Sequence, residues 1–175
     1  MNGSGGLPLL FLDVDGPLIP FGPATGPHGG HRTYPAGPLP PGAGANPLLA
    51  RIDPGLGPRL AALPCEPVWA TTWMHEANEV VAPRLGLPEL RVVVWPGPSE
   101  EDERDARAGL HWKTRTLVAW SAGRDFVWVD DEITDADRAW VRAHHGERAL
   151  LHRVDPGRGL TDADFRLLDA WLRTG

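Results

Sequence analysis

The chain has 175 residues, one cysteine and a formal net charge of −6. That length fits one ordinary domain, and the lone Cys65 excludes a disulfide framework or a cysteine zinc cage. The acidic balance argues against non-specific nucleic-acid binding. The absence of an apolar run of about eighteen residues, and of a basic and apolar leader, gives the expectation of a cytoplasmic protein with no membrane partner.

Residues 7–16 open with an apolar run that stops at Asp13-Val14-Asp15-Gly16. A run apolar at every position reads as a strand buried on both faces, the signature of a parallel sheet. Residues 16–47 are about half Gly and Pro, which reads as one irregular loop with a short hairpin around 31–34. Loops of that length are commonly functional, so residues 17–47 are expected to act as a flap or lid. A short helix over 58–63 precedes a second strand, 67–70, which ends at Thr71-Thr72.

The pattern then predicts a helix over 73–85, stopped by Gly86 and Pro88, and a third strand over 91–95. The charged stretch 99–107 reads as a solvated loop or ragged helix. Residues 111–121 follow as a helix, and a fourth strand over 126–129 ends at Asp130-Asp131. A helix over 134–145 opens with the capping-box pair Thr134 and Asp137. A fifth strand covers 149–154, and a last helix over 161–172 opens with Thr161 and Asp164. Alternating strands and helices imply a single three-layer α/β domain, residues 1–175, around a parallel sheet of about five strands.

In such sheets ligands bind beyond the carboxyl ends of the strands. Asp13, Asp15, Thr71, Thr72, Asp130 and Asp131 all stand at strand ends, and Lys113 opens a helix between the second pair and the third. Carboxylates gathered there repel unless a cation neutralises them. An oxygen-only set without His or Cys suits Mg²⁺, which keeps waters and takes substrate phosphate. A carboxylate can also act as a nucleophile and form an aspartyl-phosphate. The eight tryptophans stand mostly in apolar strands and on helix faces and are expected to pack the core, with Trp73 and Trp112 near the site. The histidines show no metal-binding spacing, and His144-His145 reads as a solvated helix end.

The ordered set Asp13-Val14-Asp15-Gly16, Thr71, Lys113 and Asp130-Asp131 resembles the four motifs of the haloacid dehalogenase (HAD) superfamily. The stretches VWATTW, WVDDEITDADRAW and VDPGRGLTDADF narrow the likeness to a small capless subgroup. It is named for the HAD domains of Swiss Army knife RNA repair proteins. The resemblance covers roughly residues 7–172 and departs from the common pattern at Pro17 and Val129.

It implies a Rossmann-like HAD fold without a folded cap and a Mg²⁺-dependent phosphatase. Asp13 would be the nucleophile and Asp15 the general acid and base. Thr71, or its rival Thr72, and Lys113 would bind phosphate. Asp13, the Asp15 carbonyl, Asp130 and Asp131 would hold the metal, with Asp135 a candidate later acid. The expected partner is a phosphorylated substrate, a small molecule or a nucleic-acid end. A basic strip of Arg32, Arg51 and Arg59 would favour the latter. A non-catalytic phosphate-binding module and phosphotransfer to another alcohol are the alternatives.

Overall fold

The computed structural model describes residues 6–23, 30–34 and 46–175. Five parallel strands form one sheet: β1 (Leu9–Leu12), β2 (Glu66–Trp69), β3 (Arg91–Val92), β4 (Phe126–Asp130) and β5 (Ala149–Arg153). Their order is β3-β2-β1-β4-β5. The helices are α1 (Leu56–Ala62), α2 (Ala82–Leu85), α3 (Glu100–Arg107), α4 (Thr114–Ser121), α5 (Asp135–His144) and α6 (Asp162–Arg173). Among the described residues no helix is long and apolar enough to cross a membrane.

The run that begins the chain is apolar throughout because side chains alternate across a strand and both faces of this sheet are covered. Leu10, Leu12, Val127 and Val129 pack with Leu60, Leu85, Phe165 and Leu168 of α1, α2 and α6. Leu9, Phe11, Phe126 and Trp128 pack on the other side with Leu117 of α4 and Val141 of α5. Burying each such side chain contributes about 1.5–3 kcal/mol. On the first face α1 and α2 meet at Gly57, where a Cβ would lie 1.7 Å from the carbonyl oxygen of Leu85. Only glycine permits that approach.

Several elements differ from the sequence reading. Of the two readings of the charged stretch the structure shows a helix, and a regular one: α3 runs from Glu100 to Arg107 with a full capping box between Ser99 and Asp102. Its composition is almost wholly charged, so it shows no apolar stripe to reveal it. The helix expected from residue 73 begins only at Ala77, as one π-helical turn over Ala77–Val81 that passes into α2. Met74 stands at φ +48° in the preceding turn, and Pro83 has no N–H to continue the ordinary helical ladder. The third strand shortens to Arg91–Val92, since it is an edge strand running into Pro96. Residues 30–34 form no hairpin; the Tyr34 N–H donates instead to Ala50 O at 2.7 Å. His145 is buried against Phe126 rather than solvated.

Among the described residues between β1 and β2, the helical elements are a 3₁₀ turn, Pro47–Arg51, and α1, and both send leucines into the core. Leu18 and Ile19, early in the expected flap, are also core residues. Two stretches of that flap, 24–29 and 35–45, lie outside the described residues. The strand order reverses between β1 and β4. A crevice opens at such a point because the crossover helices on either side leave in opposite directions.

Candidate active site at the carboxyl ends of β1 and β4

Register places the first two carboxylates. Leu12 pairs with Val129, so Asp13 and Asp130 are the next residues on adjacent parallel strands. The Asp13 N–H donates to Val129 O at 3.0 Å. Carboxylate oxygens of Asp13, Asp130 and Asp131 all lie within 4.8 Å of one another, and all three residues are buried. Gly16 makes room for the third. It stands at φ +96°, and a Cβ there would come within 2.8 Å of the Asp131 carboxyl carbon.

Lys113, immediately before α4, enters this cluster. Its ammonium donates to Asp130 Oδ2 at 2.7 Å and lies 3.2 Å from Asp13 Oδ2. Trp95 and Trp112 flank it, with ring centres 5.9 and 5.6 Å from Nζ. Asp130 also accepts from Trp128 Nε1 at 3.2 Å and from the Glu132 N–H at 3.0 Å. Asp13 accepts from the Val14 N–H at 2.9 Å.

Burial pushes the Asp13 carboxyl up to about 7, with Lys113 opposing the shift and Asp130 adding to it. Burial, joined by the Asp130 charge, pushes Asp131 up to about 6. Burial presses the Lys113 ammonium down, but Asp13 and Asp130 outweigh it and hold it above the usual lysine range. The Asp130 charge favours the protonated form of all three groups. The pocket therefore holds more negative charge than one ammonium balances. With all groups ionised, three carboxylates and one ammonium leave two negative charges over. Hard oxygen donors with that surplus fit a divalent cation such as Mg²⁺.

The wall of the cleft comes from other elements. Asp15 follows on the β1 loop, and its Oδ2 accepts from Trp73 Nε1 at 2.9 Å. Thr71 and Thr72 differ: Thr71 is fully enclosed, its hydroxyl accepting from the Trp73 N–H at 3.2 Å. Thr72 is the one that lines the cleft, a space of about 190 Å³ shared with Asp13, Asp15, Lys113, Asp131, Glu132, Phe21 and Trp112. Asp135 stands apart, exposed and paired with Arg138 at 3.0 Å.

Two residues contribute to the site in ways the sequence pattern does not show. Glu132 lines the cleft and holds His111 Nε2 at 3.0 Å. Asp137 does more than cap α5. It is fully buried and accepts from the Thr134 N–H, the His111 N–H and the Thr114 hydroxyl, each at 2.7 Å. His111 Nδ1 in turn accepts from the Lys113 N–H at 3.2 Å. One carboxylate thus ties the start of α5 to the loop that presents Lys113. The Thr134–Asp137 spacing revealed the cap, but nothing local revealed the second set of donors.

No curated protein and no solved structure gives a match to this chain. A family model described as the HAD domain in Swiss Army Knife RNA repair proteins matches residues 9–165. That span takes in all five strands and every carboxylate of the cluster, and by it the chain belongs to this HAD family.

Proposed function

We propose that the chain hydrolyses phosphate monoesters, with Asp13 accepting the phosphoryl group as an aspartyl-phosphate before water releases it. The observation that carries this reading is the Lys113 ammonium shared between Asp13 and Asp130 inside a cluster with surplus negative charge. A purely structural pair would not gather two further charges.

In this reading an Asp13 carboxylate oxygen attacks phosphorus and the bond to the leaving oxygen breaks. Lys113 offsets charge on Asp13 and on the phosphoryl oxygens. Asp15, held by the Trp73 indole N–H, protonates the leaving oxygen and later takes a proton from the attacking water. The Thr72 hydroxyl meets the phosphoryl oxygens, and Thr71 keeps the turn that presents it. Asp13, Asp130 and Asp131, with the Asp15 carbonyl, would hold Mg²⁺. When bound, that ion would supply Lewis-acid neutralisation of phosphoryl charge.

The nature of the leaving group is a second question. Phe21 and Trp112 line the cleft yet are 40% and 41% exposed, which favours a substrate with a flat ring to lay on them. Together with the family's place in RNA repair, this supports a nucleic-acid end as a specific form of the same activity.

Phosphate release from 4-nitrophenyl phosphate and from a 5′-phosphorylated oligonucleotide, with and without Mg²⁺, tests the reading. Asp13→Asn should lower turnover by at least about a thousandfold. A wild-type protein inert on both esters that still binds beryllium fluoride with Mg²⁺ would instead be a binding module.

A further inference from the structure

The chain from Asp13 to Phe21 folds into a tight turn. Gly16 N–H donates to Ile19 O, and the Leu18 and Ile19 N–H groups donate to Val14 O, all at 3.0 Å. Asp13, Asp15 and Phe21 look into the acidic cleft. Pro17, Leu18 and Pro20 look the other way, into a second cavity of about 280 Å³. One turn of chain is the wall between the two spaces. The loop after β5 closes the far side: Leu160 N–H donates to Pro17 O at 2.9 Å, and Phe21 N–H donates to Pro156 O at 2.8 Å.

The second cavity has the opposite electrical character. Arg32, Arg51 and Arg158 line it with His31, and among its described lining residues Asp53 is the one carboxylate. This is a local reversal in a chain of net charge −6. Arg51 Nη1 is anchored on Pro20 O at 2.9 Å, and the Arg32 guanidinium sits 5.0 Å over the Tyr34 ring. Two members of the basic strip anticipated from the sequence therefore do converge. The third, Arg59, does not: it pairs with Asp162 and covers the Phe165 ring. Arg158, distant in sequence, takes its place.

Guanidinium groups gathered in a concave site recognise phosphate by charge-assisted, fork-shaped hydrogen bonds. We propose that this cavity binds a second phosphate of the substrate, so that the chain prefers esters carrying two phosphates over simple monophosphates. The proposal rests on the phosphatase reading above for the first phosphate. Phe21, exposed on the cleft side of the dividing turn, offers a flat surface for the ring or sugar that joins the two groups. A nucleoside bisphosphate and the end of an oligonucleotide share this chemistry.

The experiment compares phosphate release from AMP, adenosine 3′,5′-bisphosphate and a 5′-phosphorylated dinucleotide. The wild type should favour at least one two-phosphate substrate over AMP by about tenfold or more in kcat/KM. Arg32→Ala with Arg158→Ala should bring that ratio close to one. Arg104→Ala, which removes an exposed charge on α3, should leave the ratio in place. If the alanine pair melts early, Arg32→Gln with Arg158→Gln replaces it. A gain for the dinucleotide identifies an oligonucleotide end, and a gain for the bisphosphate alone identifies a small molecule. A wild-type ratio near one, or a ratio that survives the double substitution, overturns the proposal. If no ester is turned over, the phosphatase reading falls, and calorimetry decides the cavity separately. Tighter binding of the bisphosphate than of AMP, lost in the double variant, upholds it, and equal binding overturns it.

Discussion

Lys113→Met isolates the charge balance of the site. Methionine keeps most of the length and apolar contact against Trp95 and Trp112 but removes the ammonium that lies 2.7 Å from Asp130 and 3.2 Å from Asp13. Breaking a buried pair by deleting one partner costs about 3–5 kcal/mol. Here two buried carboxylates lose the cation they share and a third, Asp131, loses its field, so the upper half of that range applies. Such a loss is a large part of the total of about 5–15 kcal/mol that holds a domain together. Urea denaturation followed by tryptophan fluorescence, with EDTA present at pH 8, reads it directly. A loss of about 4 kcal/mol moves the midpoint by about 2 M for a slope near 2 kcal/mol per molar.

The sign of the pH dependence follows from the same groups. Lys113 is held above its usual range, so its contribution is fully present at both pH 6 and pH 8. Asp13 and Asp131 are raised, to about 7 and about 6. The folded state therefore binds protons that the unfolded state does not, and the metal-free protein gains stability as pH falls from 8 to 6. Each proton taken up also removes a charge that Lys113 would offset, so the loss in the variant shrinks at pH 6. A loss below about 1 kcal/mol at pH 8 would refute the charge-surplus account, and so would an equal loss at both pH values.

Further substitutions test the scaffold around the site. Gly57→Ala forces a Cβ onto the Leu85 carbonyl, and because the obstacle is backbone, thermal melts should show a loss of about 3 kcal/mol or more. Asp137→Ala strands the His111 and Thr134 N–H groups and the buried Thr114 hydroxyl and should cost about 3 kcal/mol by denaturant titration. Thr161→Ala removes only the α6 cap and should cost about 1 kcal/mol in the same assay. Equal losses for these last two would mean that Asp137 only caps its helix. Burial works against the Asp164 carboxylate, but Thr161 and His152 outweigh it and hold its pKa below the usual range. Its stabilisation is thus present above the unfolded value and lost as pH falls through the depressed one, which acid-denaturation curves should show as lower acid resistance in Thr161→Ala.

What was legible along the chain was local. The apolar runs of β1 and β4 announce strands covered on both faces, because every position must be apolar when both sides are dry. The Thr134–Asp137 and Thr161–Asp164 pairs mark helix starts, because a cap is made within four residues. Asp13, Asp15, Asp130 and Asp131 stand out because charge ends an apolar run abruptly. The charged stretch of α3 left loop and ragged helix both open, because its stability owes little to an apolar stripe.

Tertiary structure decided how these local pieces meet. The pairing of Leu12 with Val129 sets Asp13 beside Asp130. The enclosure of Thr71 leaves Thr72 facing the cleft. The burial of Asp137 makes a helix cap into the anchor of the Lys113 loop. The loop after β5 carries Arg158 to Arg32, while Arg59 is turned away onto Phe165. A residue type and its near neighbours determine which conformation and which charge a position brings. Which charges become partners depends on register and packing between segments far apart in the chain, and those are settled only when the core closes.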